Sequence, residues 1–101
     1  MEIHVACQDR NLTLLLQGEL DHHGAKGLIS RAEQEIEMAL PLKLVLDFSG
    51  VSFMDSSGIA VVIRCRQRMR ELGGDLVLHH VPKQPRKVFE AAGMTRLVAM
   101  E

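Results

Sequence analysis

The sequence contains no tryptophan and no tyrosine, and only three of its 101 residues are phenylalanine. Hydrophobic residues still make up 47% of the chain, so its core must be built mainly from aliphatic side chains and methionine. The length suits one compact domain, which we expect to span residues 1–101. The shortage of aromatic side chains leaves no stacking platform of the kind that binds single-stranded nucleic acid.

The chain also lacks a large excess of one charge, a long apolar run and a cysteine cluster. Its formal net charge of −1 gives no reason to expect general binding to nucleic acid or to membranes. No apolar run approaches the length of a membrane span, and no charged and then apolar leader opens the chain. Cys7 and Cys65 lack the spacing of metal ligands, and we interpret both as reduced packing residues. We therefore expect a cytoplasmic protein.

Hydrophobic periodicity predicts strands that alternate with helices. The predicted elements are, in chain order, strands at 3–7 and 12–17, a polar loop at 18–24, a helix at 25–40 that Pro41 ends, a strand at 43–48, a turn at 49–50, a helix at 57–72, a strand at 76–79, a helix at 83–92 and a strand at 97–99. This order is typical of an α/β domain. We expect a mainly parallel sheet of four to five strands, with an N-terminal hairpin and helices packed on it.

The segment Lys43–Gly58, with the sequence KLVLDFSGVSFMDSSG, carries the clearest functional signal. A buried strand leads to Asp55, Ser56 and Ser57, and a helical pattern opens immediately afterwards. The serines therefore stand at a helix N-terminus, where free backbone N–H groups and the helix dipole favour negative charge. A serine there can cap the helix or carry a phosphate. Because one hydroxyl suffices for a cap, two adjacent serines indicate more than capping.

Together with GELDHH at residues 18–23, this segment closely resembles the STAS domain, and specifically the sporulation anti-sigma factor antagonists (the stage II sporulation protein AA family). The matching pieces are GELDHH, LVLDFSGVSFMDSSGIAVVI, the Gly73-Gly74 turn and the C-terminal KVFEAAGMTRLV. They cover nearly the whole chain and keep their order. The resemblance implies a single STAS-like domain.

The resemblance also implies a function, which is that of an anti-sigma factor antagonist and not of an enzyme. In this family the unphosphorylated form binds an anti-sigma factor that is also a serine kinase, and a sigma factor is released. The kinase modifies the first serine of the DSSG motif, which is Ser56 here, and a serine phosphatase resets the protein. We expect no cofactor, no metal and no direct binding to nucleic acid or membrane. The free protein is expected to be a monomer.

The family's partner-binding surface maps onto the two motifs. It comprises Asp21, His22, His23, Asp55, Ser56, Ser57 and Gly58. Gly58 would allow the backbone to approach the partner closely. A simpler interpretation of the first motif is a cap in which Asp21 accepts N–H bonds from the first helix. The adjacent histidines have no third ligand at a convincing spacing for a metal site.

Other functions remain open. The chain could be a STAS subunit of a stressosome or of a lipid-transport assembly, or a nucleotide-binding module, although it has no phosphate-binding loop. Basic residues on the later helices form a solvated face or contact an acidic partner; they are Arg64, Arg66, Arg68, Arg70, Lys83, Arg86 and Lys87. His79 and His80 match no metal pattern and are placed at a strand end.

Overall fold

The structure is a computed structural model that describes residues 1–101. It contains five strands, three α-helices and one short 3₁₀ helix. The strands are β1 (Glu2–Gln8), β2 (Asn11–Leu20), β3 (Lys43–Met54), β4 (Asp75–His79) and β5 (Ala99–Met100). The helices are α1 (His22–Ala39), α2 (Ser57–Glu71) and α3 (Lys83–Ala91), and the 3₁₀ helix spans Met94–Arg96. None of the helices is both long and apolar enough to cross a membrane.

The five strands lie in the sheet in the same order as in the chain. β1 and β2 form an antiparallel hairpin, and every later pair of neighbours is parallel. The predicted fold class, an α/β domain with a mainly parallel sheet and an N-terminal hairpin, is therefore confirmed. Right-handed crossovers that all step in one direction place their helices on the same side, so α1, α2 and α3 share one face of the sheet.

The core lies between the helices and that face of the sheet. Alternate residues of β2 and β3 point into it and are at most 1% exposed: Leu12, Leu14, Leu16, Leu44, Leu46 and Phe48. Burial of one such leucine contributes about 1.5–3 kcal/mol. Phe48 meets Phe89 of α3 edge to face, with 5.6 Å between the ring centroids. Aliphatic packing around one aromatic pair thus replaces the missing tryptophan and tyrosine.

The ends of β1, β2 and α1 meet at a shared corner. Asp9 and Arg10 both have positive φ, at 52° and 63°, as a tight hairpin turn requires. The Arg10 guanidinium donates to the carbonyl oxygen of Leu40 at 2.6 Å. Leu40 has left-handed geometry and ends α1. Its position before Pro41 disfavours further helix, so the predicted end of this helix is confirmed.

The turn predicted at residues 49–50 is wrong, because β3 continues through it to Met54. The pairing of β3 with β2 shifts register between Leu15 and Gln17 and again between Gly18 and Glu19. Such irregularities absorb extra residues on one strand without ending it. The strand therefore extends well beyond the predicted 43–48.

The polar loop predicted at residues 18–24 is also wrong. β2 runs to Leu20 and α1 begins at His22, so only Asp21 lies between the two elements. The last strand occupies residues 99–100 instead of 97–99, because the N–H groups of Leu97 and Val98 both donate to the carbonyl oxygen of Met94.

The two cysteines have different surroundings. Cys65 is buried in the core, and burial raises the pKa of its thiol to about 12. Cys7 is exposed on β1, so the prediction that it is a packing residue is wrong. Cys7 shares a face of the edge strand β1 with Ile3 and Val5, which pack against the core, but it lies near the end of the strand and is exposed.

Candidate functional site

The two sequence motifs meet at the carboxyl edge of the parallel sheet. Leu20 and Met54 are partners in the β2–β3 ladder, and Asp21 and Asp55 follow them directly. The N–H of Asp55 donates to the carbonyl oxygen of Leu20 at 3.2 Å, which joins the two segments. Because neighbouring parallel strands end at the same edge, the structure brings the residues of GELDHH and FMDSSG together.

Asp21 caps α1, which confirms the simpler interpretation of the first motif. Its Oδ1 accepts the N–H of Gly24 at 2.8 Å, and its backbone oxygen accepts the N–H of Ala25 at 2.8 Å. The hydrogen bond from Gly24 is the main reason why the pKa of Asp21 lies below its ordinary value. His22 and His23 form the first turn of α1 and are both exposed.

The start of α2 is capped by an aspartate instead of a serine. Ser56 occupies the N-cap position, but its side chain makes no capping hydrogen bond, and its backbone is already helical. Oδ1 of Asp55 instead accepts the N–H of Ser57 at 2.8 Å. The capping role considered for the serines is therefore filled by Asp55. The side chain of Ser56 is exposed and makes no capping hydrogen bond, whereas Ser57 is half-buried.

Gly58, which is predicted to let the backbone approach the partner closely, is itself buried in the free chain. A Cβ atom there would lie 2.3 Å from the sulfur of Met54 and 3.2 Å from Cδ2 of Leu20. Both of those side chains are fully buried. The glycine is needed so that α2 can pack closely on the ends of β2 and β3.

Gln84, at the start of α3, is a site residue that the sequence did not reveal. Its Oε1 accepts the N–H of Met54 at 2.9 Å, and its Nε2 donates to the carbonyl oxygen of Met54 at 2.8 Å. The β3–β4 ladder ends at Asp47 and His79, so Met54 has no neighbouring strand on that side. The amide of Gln84 replaces that strand and fixes the end of β3 beside Asp55. No local sequence pattern signals a contact of this kind.

Phe53 adds an apolar element to the same edge. It is 45% exposed although it belongs to β3, and it lies three residues before Ser56. Exposed aromatic side chains next to polar groups are common anchors at protein interfaces. The sequence places Phe53 in an apolar segment but does not predict its exposure.

The arginines of α2, His79 and His80 do not form part of this site. The arginines of α2 point in different directions, as their two-residue spacing predicts. His79 ends β4, as predicted, and Nδ1 of His80 lies 3.2 Å from Oδ2 of Asp47. No group of three or more histidine, cysteine or acidic side chains is arranged to hold a metal ion.

Comparisons of the sequence and of the fold with known proteins agree on one family. Residues 2–101 match the family model described as the STAS domain. An anti-sigma F factor antagonist of Lysinibacillus sphaericus is 29% identical over 83 residues, which are 82% of this chain and 71% of the relative.

Two solved structures extend the comparison to the fold. The anti-sigma factor antagonist SpoIIAA in its unphosphorylated form has a TM-score of 0.76 and 25% identity, over 99% of this chain and 87% of that chain. SpoIIAA of Bacillus in its phosphorylated form has a TM-score of 0.76 and 24% identity, over 99% of this chain and 91% of that chain. Because the family model matches almost every residue and the fold agrees, this chain belongs to the STAS domain family.

Proposed function

We propose that this chain is an anti-sigma factor antagonist that is switched by phosphorylation of Ser56. The unphosphorylated form binds an anti-sigma factor with serine kinase activity and thereby releases a sigma factor. Phosphorylation ends that binding, and a serine phosphatase restores it. The observation that carries the proposal is the exposed, unbonded Ser56 side chain at the start of α2. The names of the relatives support a regulatory role instead of an enzymatic one.

The partner-binding surface that we propose contains Asp21, His22, His23, Asp55, Ser56 and Ser57. Asp21 and Asp55 follow paired residues of two neighbouring strands, so a partner that contacts one motif also reaches the other. The exposed ring of Phe53 supplies apolar area beside these polar groups. Gly58 is buried beneath this surface, where it allows α2 to pack closely on the ends of β2 and β3.

Phosphorylation acts on this surface through charge and bulk. A phosphate brings a charge of about −1.5 to −2 next to Asp55 and close to Asp21, which disfavours the approach of a partner that fits the uncharged hydroxyl. The Ser57 N–H is already bonded to Asp55, so a phosphate cannot take that donor without displacing the cap. The helix dipole still favours an anion at this end, and α2 is therefore expected to survive modification.

Peptide mass spectrometry after incubation with ATP and the kinase anti-sigma factor tests the assignment. Wild type and Ser57→Ala should each gain one phosphate on Ser56, and Ser56→Ala should gain none. Ser57→Ala is the matched control because it removes a neighbouring hydroxyl and leaves Ser56 intact. Phosphate on Ser57 of the wild type would contradict the proposal.

Binding measurements test the switch itself. Ser56→Ala should bind the unmodified anti-sigma factor, because a methyl group neither adds charge nor accepts a phosphate. Ser56→Asp should bind at least about tenfold more weakly, which corresponds to about 1.4 kcal/mol. Ser30→Asp, which adds the same charge at an exposed position of α1, is the control and should bind normally. If Ser56→Asp bound as tightly as wild type while the phosphorylated protein did not, charge alone would be the wrong mechanism.

Calorimetric titration with ATP and GTP separates this proposal from the nucleotide-binding alternative. We expect no saturable binding in the absence of the anti-sigma factor. Saturable binding by the isolated chain would favour a nucleotide-binding module instead.

A further inference from the structure

The four arginines of α2 fall into two groups with different partners. Arg64 forms a salt bridge with Glu33 at 3.2 Å, and Arg68 forms one with Glu71 at 3.1 Å. Arg66 and Arg70 lie one helical turn apart and take part in none of the salt bridges of the protein. Two cations on one face of the helix are thus left without a carboxylate partner.

Arg66 and Arg70 line a groove of about 250 Å³ between α2, the start of β4 and Leu97. Nε of Arg66 donates to the carbonyl oxygen of Leu97 at 3.0 Å, which fixes its guanidinium in the groove. Ile63 on α2 and Leu97 remain 46% and 47% exposed. A second concavity on α2 contains Ile63, shares both arginines and also includes Glu71, which is paired with Arg68. The two cations therefore lie between two exposed apolar side chains.

We propose that this surface, the α2 groove (Ile63, Arg66, Arg70 and Leu97), docks an acidic amphipathic helix of a partner protein. Two carboxylates one turn apart on that helix would each accept charge-assisted hydrogen bonds from one guanidinium. Apolar side chains beside them would cover Ile63 and Leu97. Asp75 lines the same groove but forms no salt bridge with either arginine, so both guanidinium groups are free to bind the carboxylates of the helix.

The α2 groove is separate from the surface around Ser56. Arg66 and Arg70 lie roughly 14 and 20 Å from the start of α2, at about 1.5 Å per residue. Neither the groove nor its unpaired charges involve Asp21, Asp55 or Ser56. This second contact therefore does not rest on the proposed switch, and its occupancy is independent of the state of Ser56.

Fluorescence anisotropy with a labelled helical peptide tests the proposal. The probe carries two glutamates at positions i and i+4 with leucines beside them, and the control peptide has glutamines in their place. The wild-type chain should bind the glutamate peptide at least about tenfold more tightly than the control, because glutamate accepts charge-assisted hydrogen bonds that glutamine does not. Amide shifts in a parallel NMR titration should be confined to residues 63–76 and 97.

Matched arginine variants decide which cations are responsible. The double variant Arg66→Gln/Arg70→Gln should lose at least about tenfold in affinity for the glutamate peptide. Arg31→Gln/Arg64→Gln makes the same change in net charge, leaves the Arg68–Glu71 pair intact and should bind like wild type. Arg70→Gln alone should weaken binding in the same direction, and it removes no hydrogen bond of the folded chain, so it serves if the double variant does not fold. Ser56→Asp should bind the peptide normally.

Several results would overturn the proposal. These are absence of saturable binding up to millimolar peptide, equal losses in the two double variants, or amide shifts centred on residues 53–58. Concentration-dependent self-association that is lost in Arg66→Gln/Arg70→Gln would make a second copy of the chain the occupant, and it would also overturn the partner that we propose.

Discussion

The starts of α1 and α2 follow the same short pattern but expose different chemistry. ELDHHG spans the start of α1 and FMDSSG spans the start of α2, and each has an aspartate after the strand and a glycine three residues later. Asp21 bonds the N–H three residues ahead, as an N-cap commonly does. Asp55 bonds the N–H only two residues ahead. This shift places Ser56 in helical geometry with a side chain that the fold does not use.

The comparison shows how a hydroxyl at a helix start becomes available for chemistry. When the preceding aspartate satisfies the first free N–H, the serine beside it is not needed for helix formation. The glycines differ as well. A Cβ at Gly24 would approach the backbone oxygen of Glu19 at 2.9 Å, whereas one at Gly58 would overlap the Met54 side chain. The α2 start is thus more tightly packed on its buried side. On its exposed side, the Ser56 side chain makes no capping hydrogen bond.

The largest expected effect concerns that packing. Gly58→Ala should lower the free energy of unfolding by about 2–3 kcal/mol, because the added methyl collides with the fully buried side chain of Met54. Urea unfolding measures the change. Gly27→Ala is the control, since nothing lies within 4 Å of its Cβ position in α1, and it should stabilise the protein slightly. Equal stability of Gly58→Ala and wild type would show that the α2 start is not tightly packed at this position.

The next effect tests a support that only the α2 start possesses. Gln84→Ala should cost about 1–2 kcal/mol, because it leaves the N–H and carbonyl groups of buried Met54 without partners. Hydrogen exchange of the Met54 amide should accelerate in the same variant. Gln34→Ala, at an exposed position of α1, is the control and should leave both quantities nearly unchanged. An unaltered Met54 exchange rate would contradict the role of Gln84.

A smaller effect, the pH dependence of stability, tests the contribution of the Asp21 cap of α1. The pKa of Asp21 is lowered in the folded chain, so the unfolded chain binds more protons in acid. Stability therefore decreases as the pH is lowered. The contribution is fully present above the ordinary value of 3.8 and is lost as pH falls through the folded pKa. Asp21→Asn keeps a capping oxygen but cannot titrate there, so its stability should fall less between about pH 4 and pH 2 than that of wild type.

Some acid sensitivity should remain in Asp21→Asn because of Asp47. Burial by itself would raise the pKa of Asp47, but hydrogen bonds from Ser49 and His80 outweigh it and lower the pKa. Thermal unfolding of both proteins across this pH range measures the difference. Parallel curves for wild type and Asp21→Asn would show that the charge of Asp21 does not contribute.

The smallest effect is expected at the switch residue itself. Ser56→Ala should change the free energy of unfolding by less than about 0.5 kcal/mol, because the side chain makes no hydrogen bond. Ser57→Ala should cost about 1 kcal/mol or less. Chemical denaturation of the two variants gives the comparison. A loss clearly above 1 kcal/mol in Ser56→Ala would mean that its hydroxyl does cap α2.

The sequence predicted features that depend on local periodicity and failed where distant segments decide. Helical spacing and β-branched runs revealed the helices and most strands, and the resemblance to the family singled out two motifs that lie side by side at the ends of β2 and β3. The extension of β3 through Gly50 depends on its register with β2, which no local signal encodes. Gln84 bonds a residue 30 positions away, and the need for Gly58 arises from Met54 in three dimensions.

Strand order gives the sheet a direction of growth. Each strand after β1 pairs with the one that precedes it in the chain, so no strand has to insert between two earlier ones. The side of the sheet on which strands are added is therefore always the one that the next strand covers, while β1 forms the other edge. An unpaired strand edge is a hazard for aggregation, and on that side each edge is covered by the next segment of the same chain.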